Sequence, residues 1–153
     1  MNINYFEIAQ QLQALMEDVP YPVSNLSNAS ALLWQTLPGI NWVGFYQLTE
    51  GKLVLGPFQG KPACITIPLG RGVCGTAAQA RCTVRVEDVH AFAGHIACDS
   101  ASNSEIVLPL YAGDALWGVL DIDSPDFGRF QEADEAGLTQ IAAILSDMLA
   151  RTT

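Results

Sequence analysis

The side chains with the most chemistry to offer are four cysteines, Cys64, Cys74, Cys82 and Cys98, and three acids, Glu105, Asp121 and Asp123. As metal ligands the cysteines are badly spaced. Successive ones lie ten, eight and sixteen residues apart, whereas structural zinc is held by pairs with roughly two to four residues between them. His90 and His95 complete no local chelate, and no metal is expected. Thiol redox chemistry fits better. A catalytic thiol needs a partly exposed, polar setting that stabilises thiolate, because an ordinary cysteine with a pKa of about 8.5 is only slightly ionised at neutral pH. Cys98 lies in such a stretch, Gly94-His95-Ile96-Ala97-Cys98-Asp99-Ser100-Ala101-Ser102-Asn103-Ser104-Glu105. Its small residues can turn backbone N–H groups toward an anion, and His95 is either a cationic neighbour or a plain surface residue. Cys64 stands in an alternating run, Ala63-Cys64-Ile65-Thr66-Ile67, which on its own reads as a buried strand cysteine. Cys82 follows Arg81 at a strand start, shows no motif, and is expected to be structural.

Asp121 and Asp123 are two apart in Leu120-Asp121-Ile122-Asp123, so a strand points both to one face. Two readings stand side by side: an exposed sheet edge that tolerates the repulsion, or a polar pocket in which one acid has a raised pKa. Glu105 opens a neighbouring strand, so three acids converge toward the Cys98 stretch. The run Gly70-Arg71-Gly72-Val73-Cys74-Gly75 satisfies G-x-G-x-x-G literally. A dinucleotide site, however, needs a parallel βαβ unit and an acid about 20 residues on. The following helix is barely two turns, and Glu87 and Asp88 come too early. A tight turn in which small residues let the backbone pass close to a neighbour or ligand is expected instead.

These groups need elements to position them. Tyr5, Ile8, Ala9, Leu12, Leu15 and Met16 fall at helical spacing, closed by Pro20 and Pro22; Leu26, Ala29, Leu33 and Leu37 form a second stripe, closed by Pro38-Gly39. Strand-like runs follow at 42–48, 53–58, 63–69, 83–86, 105–111 and 116–123. Thr49-Glu50-Gly51-Lys52 reads as a hairpin turn between the first two. A last helix over about 131–151 carries Leu138, Ile141, Leu145 and Met148 on one stripe, with Glu132, Asp134 and Glu135 at its positive end. The order α-α-β-β-β-β-β-β-α implies an α+β domain, an antiparallel sheet with its helices packed on one face.

The chain has 153 residues, 50% of them apolar and 15% charged, so it can bury a sizeable core as one domain with no room for a separate output domain. Seven basic against 16 acidic residues, a formal charge of −9, argue against nucleic acid or an anionic membrane as partner. Apolar runs are broken well short of the ~20 residues a membrane span requires. Met1-Asn2-Ile3-Asn4-Tyr5-Phe6-Glu7 has neither the basic nor the apolar region of a secretory signal, so a cytoplasmic location is expected.

The runs Asn41-Trp42-Val43-Gly44-Phe45-Tyr46, Gly60-Lys61-Pro62-Ala63-Cys64 and Gly70-Arg71-Gly72-Val73-Cys74-Gly75, then Gly94-His95-Ile96-Ala97-Cys98-Asp99, Ser102-Asn103-Ser104-Glu105 and Gly118-Val119-Leu120-Asp121-Ile122-Asp123-Ser124, resemble the free methionine-R-sulfoxide reductases, a family built on a single GAF domain. The resemblance covers nearly the whole chain, and the G-H-I-A-C-D loop with this cysteine set separates it from ordinary GAF domains. It implies one GAF-like domain over 1–153: helices over about 5–37, a six-stranded antiparallel sheet over about 42–123, and a ligand pocket roofed by the loop from Gly94 to Glu105. It further implies that Cys98 attacks the sulfoxide sulfur and becomes a sulfenic acid, that Cys64 resolves it to a disulfide with Cys74 as the alternative, and that thioredoxin restores the dithiol without any cofactor. By the same resemblance Glu105 and Asp123 are chosen to protonate the sulfoxide oxygen, with Asp121 nearby; any of the three acids can instead hold the substrate ammonium. Trp42 beside Tyr46 either walls the S-methyl group or is a plain core tryptophan, and loop N–H groups at Ile96 and Ala97 face the substrate carboxylate. A homodimer is expected. The rival readings are a non-catalytic GAF sensor of a small metabolite and a peroxide-sensing thiol protein.

Overall fold

The computed structural model describes residues 2–94 and 101–153. Helix α1 (Tyr5–Met16) is started by Asn4, whose side chain accepts from the Glu7 N–H, and buries Ile8, Ala9, Leu12 and Met16. Helix α2 (Pro22–Thr36) has proline in its first turn, where no N–H is needed, and buries Leu26, Ala29 and Leu33. The last helix, α4 (Glu132–Thr152), opens with a capping box between Gln131 and Asp134. Arg151 in its last turn donates to the Met16 and Val19 carbonyls, tying the ends of α4 and α1 together.

Six antiparallel strands follow the order β3-β2-β1-β6-β5-β4. They are β1 (Trp42–Thr49), β2 (Lys52–Gly60), β3 (Thr66–Pro68), β4 (Val84–Val86), β5 (Ser104–Ala112) and β6 (Ala115–Ser124). The β1–β2 hairpin closes through Glu50 and Gly51, both at positive φ (52° and 80°), the pair of conformations a tight hairpin turn demands. Between Gly44 and Tyr46 the register shifts, and Gly56-Pro57 on β2 absorb the extra residue as a bulge, the place where a strand tolerates proline.

The sheet is buried on both faces. Val43, Phe45, Ile106, Leu108, Leu120 and Ile122 pack against α1, α2 and α4. Their alternates Trp42, Tyr46, Val107 and Val119 pack with a short helix, α3 (Gly72–Ala80). The α+β architecture is as expected, and the three long helices share one face. Helix α3 lies on the other, because its inner side chains Val73, Cys74, Ala77 and Ala78 are small enough for it to sit close over the sheet. That second layer makes the α3 face of β1, β5 and β6 an enclosed surface.

Candidate active site

The three acids meet on that enclosed face. Across the central strands Trp42 pairs with Asp123, which pairs with Glu105, and in the adjacent row Gly44 pairs with Asp121, which pairs with Val107. Directly opposed residues put their side chains side by side. Of the two readings of the Asp121/Asp123 pair, the exposed edge is excluded: β6 lies in the middle of the sheet, and Asp121 and Glu105 are buried. Helix α3 supplies a fourth member, the buried thiol of Cys74, whose Sγ donates to Glu105 Oε2 at 3.9 Å. Ligand atoms of Cys74, Glu105 and Asp121 all lie within 4.8 Å of one another. Asp121 Oδ1 has no hydrogen-bond partner among the described residues.

Burial sets the protonation here. It pushes the Glu105 carboxyl well above the usual carboxylate range, and the charges of Asp121 and Asp123 push it further. Asp121 is raised by burial too, but hydrogen bonds from Glu105, Cys74 and Asp123 offset part of the effect. Both shifts favour the neutral acid over the carboxylate in the cluster. Burial also raises the Cys74 thiol, with Asp121 and Glu105 adding to it, so Cys74 stays protonated and is a poor nucleophile where it stands.

Beside the acids is an aromatic wall. The Trp42 ring stacks on Phe58 at 5.3 Å and lies 6.0 Å from Tyr46. Gly44 makes this possible: a Cβ there would sit 2.7 Å from the Trp42 ring and 2.3 Å from Phe58 Cβ, so the indole lies flat across a gap that no side chain fills. The polar tips of the wall reach the loop between β2 and β3. Trp42 Nε1 donates to the Lys61 carbonyl at 3.1 Å, and the Tyr46 hydroxyl donates to the Cys64 carbonyl at 2.9 Å. Cys64 is thus held in a loop, half-buried, and it is disulfide-bonded. The expected buried strand position is corrected: β3 begins only at Thr66, because Pro62 interrupts pairing and the two aromatic donors capture the carbonyls. Cys74 and Cys82 are free thiols, and Cys82 is exposed at the end of α3 rather than part of a core.

The glycine run is the tight turn expected. Gly70 N–H donates to the Gly75 carbonyl at 2.9 Å, and a Cβ on Gly75 would lie 2.4 Å from the Pro68 carbonyl. The turn also sets Gly72 N–H on the Gly94 carbonyl at 2.9 Å, so the described chain arrives at Gly94 beside the start of α3. Beyond Ala101 it is anchored at the site end of β5 and β6. There Asn103 N–H donates to the Ser124 carbonyl at 2.8 Å, and Asn103 Nδ2 donates to the Pro125 carbonyl at 2.7 Å. Cys98, Ile96, Ala97, His95 and Asp99 lie outside the described residues.

Among the predicted site residues, Glu105, Asp121, Asp123, Trp42, Tyr46 and Cys74 are therefore brought to one face, with Cys64 tied to its rim by the two aromatic residues. Sequence reasoning missed two contributors, Phe58, which extends the aromatic wall, and Gly44, which provides its floor, and it named Cys74 without the contact of its thiol to the acids. The signal for the floor is present in Trp42-Val43-Gly44-Phe45-Tyr46: a glycine between two same-face aromatic residues on a strand leaves a gap into which one ring can fold.

The family model for the GAF domain matches residues 7–148. A free methionine-R-sulfoxide reductase of Escherichia coli is 55% identical over 148 residues, which cover 97% of this chain and 90% of that protein. The structure of fRMsr of Staphylococcus aureus in its reduced form superposes with a TM-score of 0.95 at 51% identity, covering 97% of each chain. The free methionine-R-sulfoxide reductase of Neisseria meningitidis in complex with its substrate superposes with a TM-score of 0.93 at 43% identity, covering 97% of this chain and 89% of that one.

Proposed function

Because this chain belongs to the GAF-domain family, and within it to the free methionine-R-sulfoxide reductases, we propose that it reduces free L-methionine-(R)-sulfoxide to methionine at the acid cluster under α3. The chain is an oxidoreductase. The observation that carries the substrate assignment is the convergence of Glu105, Asp121 and Asp123 beside the Trp42 wall, with Glu105 raised well above the ordinary carboxyl range and Asp121 Oδ1 open to a cation.

A sulfoxide oxygen is a poor leaving group until protonated. In the proposed first step the Cys98 thiolate attacks the sulfoxide sulfur, and Glu105, with Asp123 beside it, delivers a proton to the oxygen. The oxygen passes to the cysteine sulfur, giving a sulfenic acid and releasing methionine. Cys64 then attacks that sulfur, water leaves, and a disulfide forms. A disulfide at Cys64 with Cys74 and Cys82 free supports Cys64 as the resolving thiol. Cys74 can take that part only by leaving the acids. A thioredoxin dithiol accepts the oxidation and restores the enzyme, so no cofactor is needed. The reducing environment of the cytoplasm suits this cycle. No described helix is long and apolar enough to cross a membrane. We further propose a homodimer, which sedimentation at micromolar concentration tests.

Two predictions arise here. Cys64→Ser is expected to release about one methionine per chain in a single turnover and then stall, because the sulfenic acid forms but is resolved poorly. Loss of that first turnover would place Cys64 in the attack step instead. The second concerns substrate. The ammonium has its partner in Asp121, and the carboxylate is assigned to N–H groups at Ile96 and Ala97. A site with buried groups built for a charged ligand rejects analogues that leave them unpaired, at about 1–3 kcal/mol each. N-acetyl-methionine sulfoxide and sulfoxide within peptides should therefore have kcat/KM at least ~100-fold lower. The S epimer should fail because it presses oxygen onto the Trp42 wall. NADPH consumption through thioredoxin and its reductase, measured for all four substrates, decides the matter. Comparable values would mean an open site, and no consumption with the free R epimer would favour the sensor reading.

A further inference from the structure

We propose that Cys74, Glu105 and Asp121 form a binding site for a borderline divalent cation of the Zn2+ class, and that the filled site excludes the substrate. Binding rests on the geometry of the cluster alone; the exclusion rests on the reductase reading above. Local spacing hid this site, because its ligands come from three elements: α3, β5 and β6. The fold sets all three ligand atoms within 4.8 Å of one another, with Cys74 Sγ 3.9 Å from Glu105 Oε2. A tetrahedral zinc with a sulfur at about 2.3 Å and an oxygen at about 2.1 Å holds those two ligands about 3.6 Å apart, so small side-chain rotations close the site.

The donor set selects the metal. One sulfur and two carboxylates suit Zn2+ or Co2+, whereas Ca2+ and Mg2+ demand six or more oxygens, waters included. An independent observation points to a missing cation. Asp121 is 5% exposed, and its Oδ1 has no hydrogen-bond partner among the described residues. A buried carboxylate oxygen left unanswered is costly, and a metal ion answers it fully. Three protein ligands leave the fourth tetrahedral position for water. A cation there occupies the Glu105 oxygen that would carry the catalytic proton and the Asp121 oxygen that would meet the ammonium. The filled site is thus an inhibited one, competitive with substrate.

Co2+ serves as the probe because a thiolate ligand gives it a charge-transfer absorption that carboxylates do not. The test uses oxidised protein carrying Cys82→Ser. With Cys64 in its disulfide, Cys74 is then the free thiol among the described residues. The expected result is one Co2+ per chain with a thiolate-to-cobalt band that Zn2+ abolishes. Cys74→Ala should lose the band and bind at least about tenfold more weakly, a factor that even outer-shell losses reach. Asp121→Asn should weaken binding similarly while keeping the band, and it covers the case in which Cys74→Ala fails to fold. No band in the parent protein, or a band that survives Cys74→Ala, overturns the proposal. Sulfoxide turnover by the metal-free reduced protein is measured separately, so failure of the reductase reading shows there and leaves the cobalt result unaffected.

Discussion

Turnover is expected to vanish in Cys98→Ser, with secondary structure and unfolding temperature unchanged. The loss follows from nucleophilicity: a serine hydroxyl is essentially un-ionised at neutral pH and is a far weaker nucleophile than a thiolate. Protonating the sulfoxide oxygen does not compensate, because the acid assists an attack that no longer occurs. The fold should survive because the two hydrophobic clusters that hold the sheet lie in described segments on either side of the loop. Methionine release in a single turnover is the measurement. A variant that kept more than a small fraction of the first turnover would remove Cys98 from the attack step. The Cys74 thiol would then have to leave its protonated state beside Glu105 to take over.

The second large effect belongs to the acids. Glu105→Gln or Asp123→Asn should slow the first chemical step by about 10²- to 10⁴-fold, the range for a lost general acid. The pH dependence carries the sharper test. Glu105 is raised well above the ordinary carboxyl value, so its acid form persists to higher pH than that of a free carboxyl and is lost as pH rises through its raised pKa. The single-turnover rate of the parent should therefore fall on the alkaline side, and Glu105→Gln should lack that limb. Stability gives the sign a second time. Between the ordinary and the raised value the folded state binds more protons than the unfolded one. The contribution is complete below the ordinary value and disappears as pH rises through the raised one. At pH 8 the Gln variant should thus melt higher than the parent, by about 2–4 °C for each kcal/mol relieved in a chain of this size, with the gap closing toward acid pH. An unchanged rate and an unchanged melting temperature in both variants would reduce these acids to structural polar groups.

Much of the scaffold was legible in the residues. Helical spacing located α1, α2 and α4, and Glu50-Gly51 announced the hairpin, because these features depend on neighbours only a few positions away. The acids could be placed on one face from their spacing of two, yet whether that face was an edge or an interior could not be decided. That depended on β6 lying between β1 and β5, a matter of sheet order. Cys64 was misplaced for a similar reason. Its alternating run describes a strand, but Pro62 and two donors nearly twenty residues upstream in β1 hold it in a loop. The contact between Cys74 and Glu105 joins positions 31 residues apart and leaves no local trace.

The hydrogen bond from Trp42 to Lys61 turns the enzyme into its own optical probe. The indole N–H that steadies the Cys64 loop is part of a fluorophore whose emission responds to the loss of a hydrogen-bonding partner. Cys64 lies three residues from that Lys61 carbonyl, so a change in tryptophan emission on reducing the disulfide is the expected readout, without a coupled reporter. Trp42→Phe, which keeps an aromatic ring but removes the donor, is the natural blank against the background of Trp34 and Trp117.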